Sequence, residues 1–188
     1  MLPPPSIRFI GHAIVSADGM IADADGGMPA ALRSDADWQQ FQAALDRSVL
    51  VVLGRVGHRR HPNPGRRRLV LTRSVERLVA PPAEPLVTLW NPAGAAIGDV
   101  LRELGIDAGE VAVTGGTGTF EYFLPCYDAF VLSEAHRSVL PAGRPCFRGG
   151  HPRTVLAAAG LVPAEARTVD AALGVTTTLW QRRGASLP

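Results

Sequence analysis

Residues Val111–Glu134 read VAVTGGTGTFEYFLPCYDAFVLSE, and this stretch decides the architecture. An apolar run, Glu110–Thr114, gives way to paired glycines. A helix-like segment, Gly118–Leu124, follows, and after Leu-Pro comes a second apolar run, Ala129–Ser133. Two strand-like runs joined through a helix suit a parallel pair, because a parallel crossover needs a dozen or more residues. The alternation extends outward. Strand-like runs are read at Arg8–Val15, Val49–Leu53, Arg68–Thr72 and Pro85–Trp90, and helix-like segments at Asp35–Arg47 and Ala95–Leu104. The pair Leu161–Val169 and Val175–Arg183, separated by Asp170–Gly174, reads as an antiparallel hairpin. An α/β fold is expected, with a mostly parallel mixed central sheet, helices on both faces and that C-terminal hairpin.

With 188 residues and 46% apolar content, the chain can bury one substantial core. A single domain over residues 1–188 is expected, since Pro81–Pro85 and Pro141–Pro152 are too short to be linkers. Gly184–Pro188 is expected to fray. The 19 basic residues, all arginine, nearly balance 17 acidic ones, which argues against a general nucleic-acid binder. Arg59, Arg60, Arg66, Arg67 and Arg68 cluster but lack the aromatic residues of a nucleic-acid surface. Two cysteines, Cys126 and Cys146, offer no metal-site spacing. No apolar run approaches the roughly 18 residues of a membrane span, and no signal peptide is evident. A cytoplasmic protein with neither a metal nor a membrane partner is expected.

The segment Gly26–Trp38, GGMPAALRSDADW, carries two carboxylates. Trp38, Phe41 and Leu45 recur at spacings of three and four, so one apolar stripe faces the core. Asp35 and Asp37, about 200° apart at 100° per residue, flank that stripe, and periodicity does not choose between them. Ser34 is a good N-cap, and S-D-A-D fits a capping box, which gives Asp37 a structural task. Asp35, at the first helical position, favours the positive end of the helix.

The order M-P-A-A-L-R-S-D-A-D-W resembles the dihydrofolate reductase segment in which Met-Pro-Trp, a Leu and a pterin-binding Asp precede the first helix's Trp. Leu53–Ser74, LGRVGHRRHPNPGRRRLVLTRS, is similar to that family's strand, Gly-Arg turn, short helix, Pro-Gly-Arg and next strand. Val111–Glu134 is similar to its strand, Gly-Gly phosphate loop, helix, Leu-Pro and strand. Ser16–Ala22, SADGMIA, also resembles the S-x-D-G segment of the riboflavin-biosynthesis pyrimidine reductases of the same superfamily.

The resemblance implies a dihydrofolate reductase-like fold and an NADPH-dependent reductase. Hydride would go to a dihydropterin, dihydrofolate-like or modified as in dihydromethanopterin. The alternatives are a 5-amino-6-ribosylaminouracil-phosphate reductase and a catalytically inactive NADP-binding protein. On this reading Asp35 is the catalytic carboxylate, hydrogen-bonded to Ser133, and His12, Ile14, Gln39, Asn63 and Arg66 contact a pterin or pyrimidine substrate. Gly54, Arg55, Thr72, Arg73, Ser74 and the run Thr114, Gly115, Gly116, Thr117, Gly118, Thr119 hold the cofactor. Glycines permit close approach of backbone to a pyrophosphate, and arginines with hydroxyls suit a phosphate monoester. The resemblance further implies a cis Gly115–Gly116 peptide, a mobile loop at Asp18-Gly19 and a possible homodimer, as in the pyrimidine reductases. Four residues depart from dihydrofolate reductases: Ala30 for Trp, Gln39 for Phe, Asn63 for an apolar residue and Gly57 for Thr. Three of these departures fall on the substrate side, which argues for a tail unlike folate's.

Overall fold

A computed structural model describes residues 6–61 and 63–182 of the chain; the expected fraying of Gly184–Pro188 lies outside them. Chain order runs β1 (Ile7–Ser16), β2 (Met20–Ala22), α1 (Asp35–Arg47), β3 (Leu50–Gly54), α2 (Arg55–Arg60), β4 (Arg68–Leu71), β5 (Leu78–Val79), β6 (Val87–Trp90) and α3 (Ile97–Glu103). Then come β7 (Gly109–Val113), α4 (Thr117–Phe123), β8 (Tyr127–Ala135), β9 (Arg144–Pro145), α5 (Pro152–Ala158), β10 (Leu161–Pro163), β11 (Arg167–Asp170) and β12 (Val175–Arg182). Short 3-10 turns at Ala30–Leu32 and Leu124–Cys126 lead into α1 and out of α4.

The main sheet has the order β10-β12-β8-β1-β7-β3-β4-β6-β5, with β11 also on β12. Its centre, from β8 to β6, is parallel, and antiparallel pairs close both ends. Alternation in β3 shows the layering. Leu50 and Val52 pack into a core shared with Val100 and Leu101 of α3, Phe120 and Phe123 of α4, and Leu156 of α5. Val51 and Leu53 point the other way, onto Leu45 of α1. A period of two thus divides each strand between two helical layers.

Two expectations change here. The closing element is three strands, since β10 and β11 both pair with β12 and residues 164–166 separate them. The α1 stripe is not wholly core: Leu45 is buried, whereas Trp38 is 48% exposed. α5, β2, β5 and β9 were not anticipated, and three of them are strands of two or three residues. Among the described residues, no helix is long and apolar enough to cross a membrane.

Candidate functional site

Ser34 fixes where α1 begins. Its Oγ accepts a hydrogen bond from the Asp37 N–H at 3.3 Å and donates one to Asp170 Oδ2 at 3.0 Å, tying the helix start to β11. The N-cap therefore forms, but the Asp37 carboxylate is directed at the sheet. Ser133 Oγ on β8 donates to Asp37 Oδ1 at 2.5 Å and is also bonded to the Thr177 hydroxyl on β12. A hydroxyl has one proton, so when Ser133 gives its proton to the carboxylate, Thr177 must donate to Ser133. A short relay, Thr177 to Ser133 to Asp37, results.

This corrects the assignment of the Ser133 partner. Asp35, expected in that place, is exposed; it lines the same cleft, but the carboxylate bonded to Ser133 is that of Asp37. Two residues on, about 200° round the helix, the side chain reaches β8. Burial raises the Asp37 carboxyl above its ordinary range, and the bond from Ser133 opposes that rise.

Strand register explains the wall facing Asp37. Ile14, Ser133, Thr177 and Arg167 are partners across β1, β8, β12 and β11, forming one row, and His12, Val131 and Leu179 form the next. Both rows line a cleft of about 1770 Å³ that runs beside α1. His12 is 8% exposed, and its ring meets Phe41 edge-on at 6.0 Å between centroids. Burial, and then the positive charge of Arg47, lower its pKa to about 4, so the imidazole is neutral near pH 7.

Every residue expected to hold the cofactor lines this same cleft. Gly54 ends β3 and Arg55 opens α2, Thr72, Arg73 and Ser74 follow β4, and Thr114–Thr119 leads from β7 into α4. The parallel centre of the sheet brings these three segments to one carboxyl edge. The Gly54 N–H bonds the Gly115 carbonyl at 3.0 Å, and the Thr72 and Ser74 hydroxyls lie 2.8 Å apart. Gly115 and Gly116 turn the chain through φ of +133° and +83°. The expected cis bond between them is absent: among the described residues every peptide is trans.

The residues present fit a dinucleotide phosphate. A Cβ on Gly118 would meet nothing within 4 Å, so the backbone there is open to a ligand. Among the described residues, Arg55 and Arg73 have no acidic partner. No group of His, Cys, Asp or Glu among those residues is arranged to hold a metal.

Of the expected substrate contacts, His12, Ile14 and Asn63 line the cleft and two others do not. Gln39 is exposed on the far side of α1, and Gln40 lines the cleft in its place. Arg66 is engaged elsewhere, with Asp46 at 2.6 Å and Gln42 at 2.8 Å. Sequence reading also missed Arg47, His61, Thr177 and Leu179, all of which line the cleft. Helical spacing from Asp37 would have found Arg47, and alternation along Val175–Arg182 would have paired Thr177 with Leu179.

The layered mixed sheet, the glycine turn after β7 and the carboxylate on the first helix define a dihydrofolate reductase-like fold. Among solved structures, the chain is similar to a Shewanella sp. PV-4 protein assigned by name to riboflavin biosynthesis. Identity is 22%, the TM-score 0.67, and the match covers 94% of this chain and 99% of that one. It is similar also to dihydrofolate reductase from Enterococcus faecalis complexed with NADP(H) and RAB-propyl, at 16% identity and TM-score 0.63, covering 94% and 96%. A Thermotoga maritima diaminohydroxyphosphoribosylaminopyrimidine deaminase/5-amino-6-(5-phosphoribosylamino)uracil reductase matches at 17% identity and TM-score 0.64. That match covers 94% of this chain and 57% of the longer protein. Neither a protein-family model nor a curated protein matches the chain.

Proposed function

We propose that the chain is an NADPH-dependent reductase of a dihydropterin or a related pyrimidine-containing heterocycle. The observation that carries this reading is the Asp37–Ser133–Thr177 relay, which opens on the same cleft as the Gly115–Gly116 turn. A partly buried carboxylate held by one hydroxyl has a free oxygen edge, suited to two parallel hydrogen bonds with an amino-pyrimidine. When bound, the cofactor supplies hydride. Asp37 orients the ring, and its burial, which raises the carboxyl above its ordinary range, favours the protonated form that a general acid needs. Phe41 and His12 exclude water from one side of that ring, and Arg55 and Arg73, without an acidic partner among the described residues, give a phosphate monoester two cations.

The test is NADPH oxidation, followed by absorbance, with reduced pterins and with ribosylaminouracil phosphate. Pterin turnover should fall at least about a hundredfold in Asp37→Asn, the loss of roughly 3 kcal/mol of transition-state contact. Asp35→Asn should stay within about threefold, as expected of an exposed residue. Loss of turnover in Asp35→Asn with retention in Asp37→Asn would refute the assignment. Turnover of the ribityl phosphate alone would replace the pterin reading, and saturable NADPH binding without any turnover would favour an inactive binder.

A further inference from the structure

Helix α1 presents two different flanks to whatever lies beyond the ring pocket. At 100° per residue, Gln40, Ala44 and Arg47 all fall within about 80° of Asp37, and they continue its face to the helix end. Gln42 and Asp46 fall about 140° and 180° away. On that opposite flank, Arg66 is held by Asp46 and Gln42 and lies outside the cleft lining. On the Asp37 flank, Arg47 lines the cleft and, among the described residues, has no acidic partner. Across from it His12 is buried, faces the cleft and makes no side-chain hydrogen bond to a described residue. Buried polar groups are rarely left without partners, and a neutral imidazole offers one donor and one acceptor.

The charge balance points the same way. Seven arginines but only two carboxylates, Asp35 and Asp37, line the cleft. Arg55 and Arg73 lie at the cofactor's end, and Arg33, Arg144 and Arg148 already bond Met28, Ala24 and Glu121. Arg47 and Arg167 remain, at the end where the substrate would sit.

We propose that the Arg47 flank binds an anionic group of the substrate, a carboxylate or a phosphate monoester. Arg47 supplies the charge and the His12 ring N–H a hydrogen bond. The substrate's tail then leaves along the face of α1 opposite Arg66. The inference rests on reading this cleft as a reductase's substrate site.

The experiment titrates the whole chain with inorganic phosphate and, separately, with acetate, following the His12 ring resonances by NMR. Those resonances are identified by their loss in His12→Gln. A saturable displacement is expected, and the anion that binds more tightly names the class. Arg47→Gln should weaken binding at least about tenfold, a loss of 1.4 kcal/mol, while Arg66→Gln stays within about twofold. No displacement with either anion, an unchanged titration in Arg47→Gln, or loss in Arg66→Gln would overturn the proposal. Pterin turnover is read separately. Turnover without an anion response removes the subsite alone, and an anion response without turnover removes the reductase reading alone.

Discussion

Replacing Ser133 by Ala tests the relay without touching the carboxylate. The lost bond is a hydroxyl donated to a partly buried Asp37 at 2.5 Å. A bond to a charged group contributes about 1.5–3 kcal/mol net, and partial exposure places this one toward the lower end. The pH dependence has a definite sign. The folded-state pKa of Asp37 is raised, so folding favours the protonated form. That contribution is fully present below the ordinary carboxylate range and is lost as pH rises through the folded value. Ser133→Ala removes the hydroxyl that favours ionised Asp37 and pushes the folded value higher still, which enlarges the loss above that value.

Stability measured by urea unfolding should therefore fall by about 1.5–2 kcal/mol at a pH above the folded-state pKa of Asp37, where the carboxylate is charged. In acid, where Asp37 is neutral, only an ordinary hydroxyl bond is lost and the deficit should shrink to about 1 kcal/mol or less. For a chain of this size the deficit above that pKa corresponds to roughly 3–8 °C in Tm. An equal deficit at both pH values, or a larger one in acid, would refute the argument that Ser133 serves the ionised carboxylate.

Gly116→Ala places a Cβ at φ +83° and should cost roughly 1–2 kcal/mol; NADPH affinity, read by fluorescence titration, should fall with it. Affinity equal to that of the unchanged chain would show that the turn does not hold the cofactor. Arg153→Met would leave buried Glu134 without its permanent cation and with His151 at 3.9 Å beside it, since its side chain is 4% exposed and takes three bonds of 2.6–2.9 Å from Arg153. A loss near 3 kcal/mol is expected because Arg153 itself is half exposed, and adding Glu134→Gln should recover part of it. No recovery in the double variant would place the loss in packing instead of charge.

The fold was largely legible because its strands are short apolar runs separated by helix signals. α1 was read to the residue, since Ser34 and the 3.6 period mark its start and face. The two carboxylates were not separable in this way. Asp35 and Asp37 have equivalent places relative to the apolar stripe, and what distinguishes them is a hydroxyl 96 residues further on. The match to dihydrofolate reductases counted residues from Met28-Pro29, whereas the 3-10 turn Ala30–Leu32 and the Ser34 cap decide which Asp meets the sheet. Arg66 was misplaced for a similar reason. Its Pro-Gly-Arg motif is local, but Asp46, which pairs with it, lies on another element. The residues expected to hold the cofactor do gather along one cleft, because each group lies at or just after the end of a strand of the parallel centre, and strand ends can be read locally.

Thr177 of β12 completes the relay from 44 residues beyond Ser133, and β12 is also the strand that carries β10 and β11. During synthesis, a ribosome that has extruded the chain only to Gly160 has released the three segments that line the cleft after β3, β4 and β7. It has not released the strand that bonds Ser133. The glycine turn can therefore form before the carboxylate gains its full hydroxyl support, and on the proposed function a nucleotide would meet an unfinished pocket. A nucleotide bound at that moment would act as a folding template, stabilising the parallel centre while the antiparallel pairing of β12 is still to come.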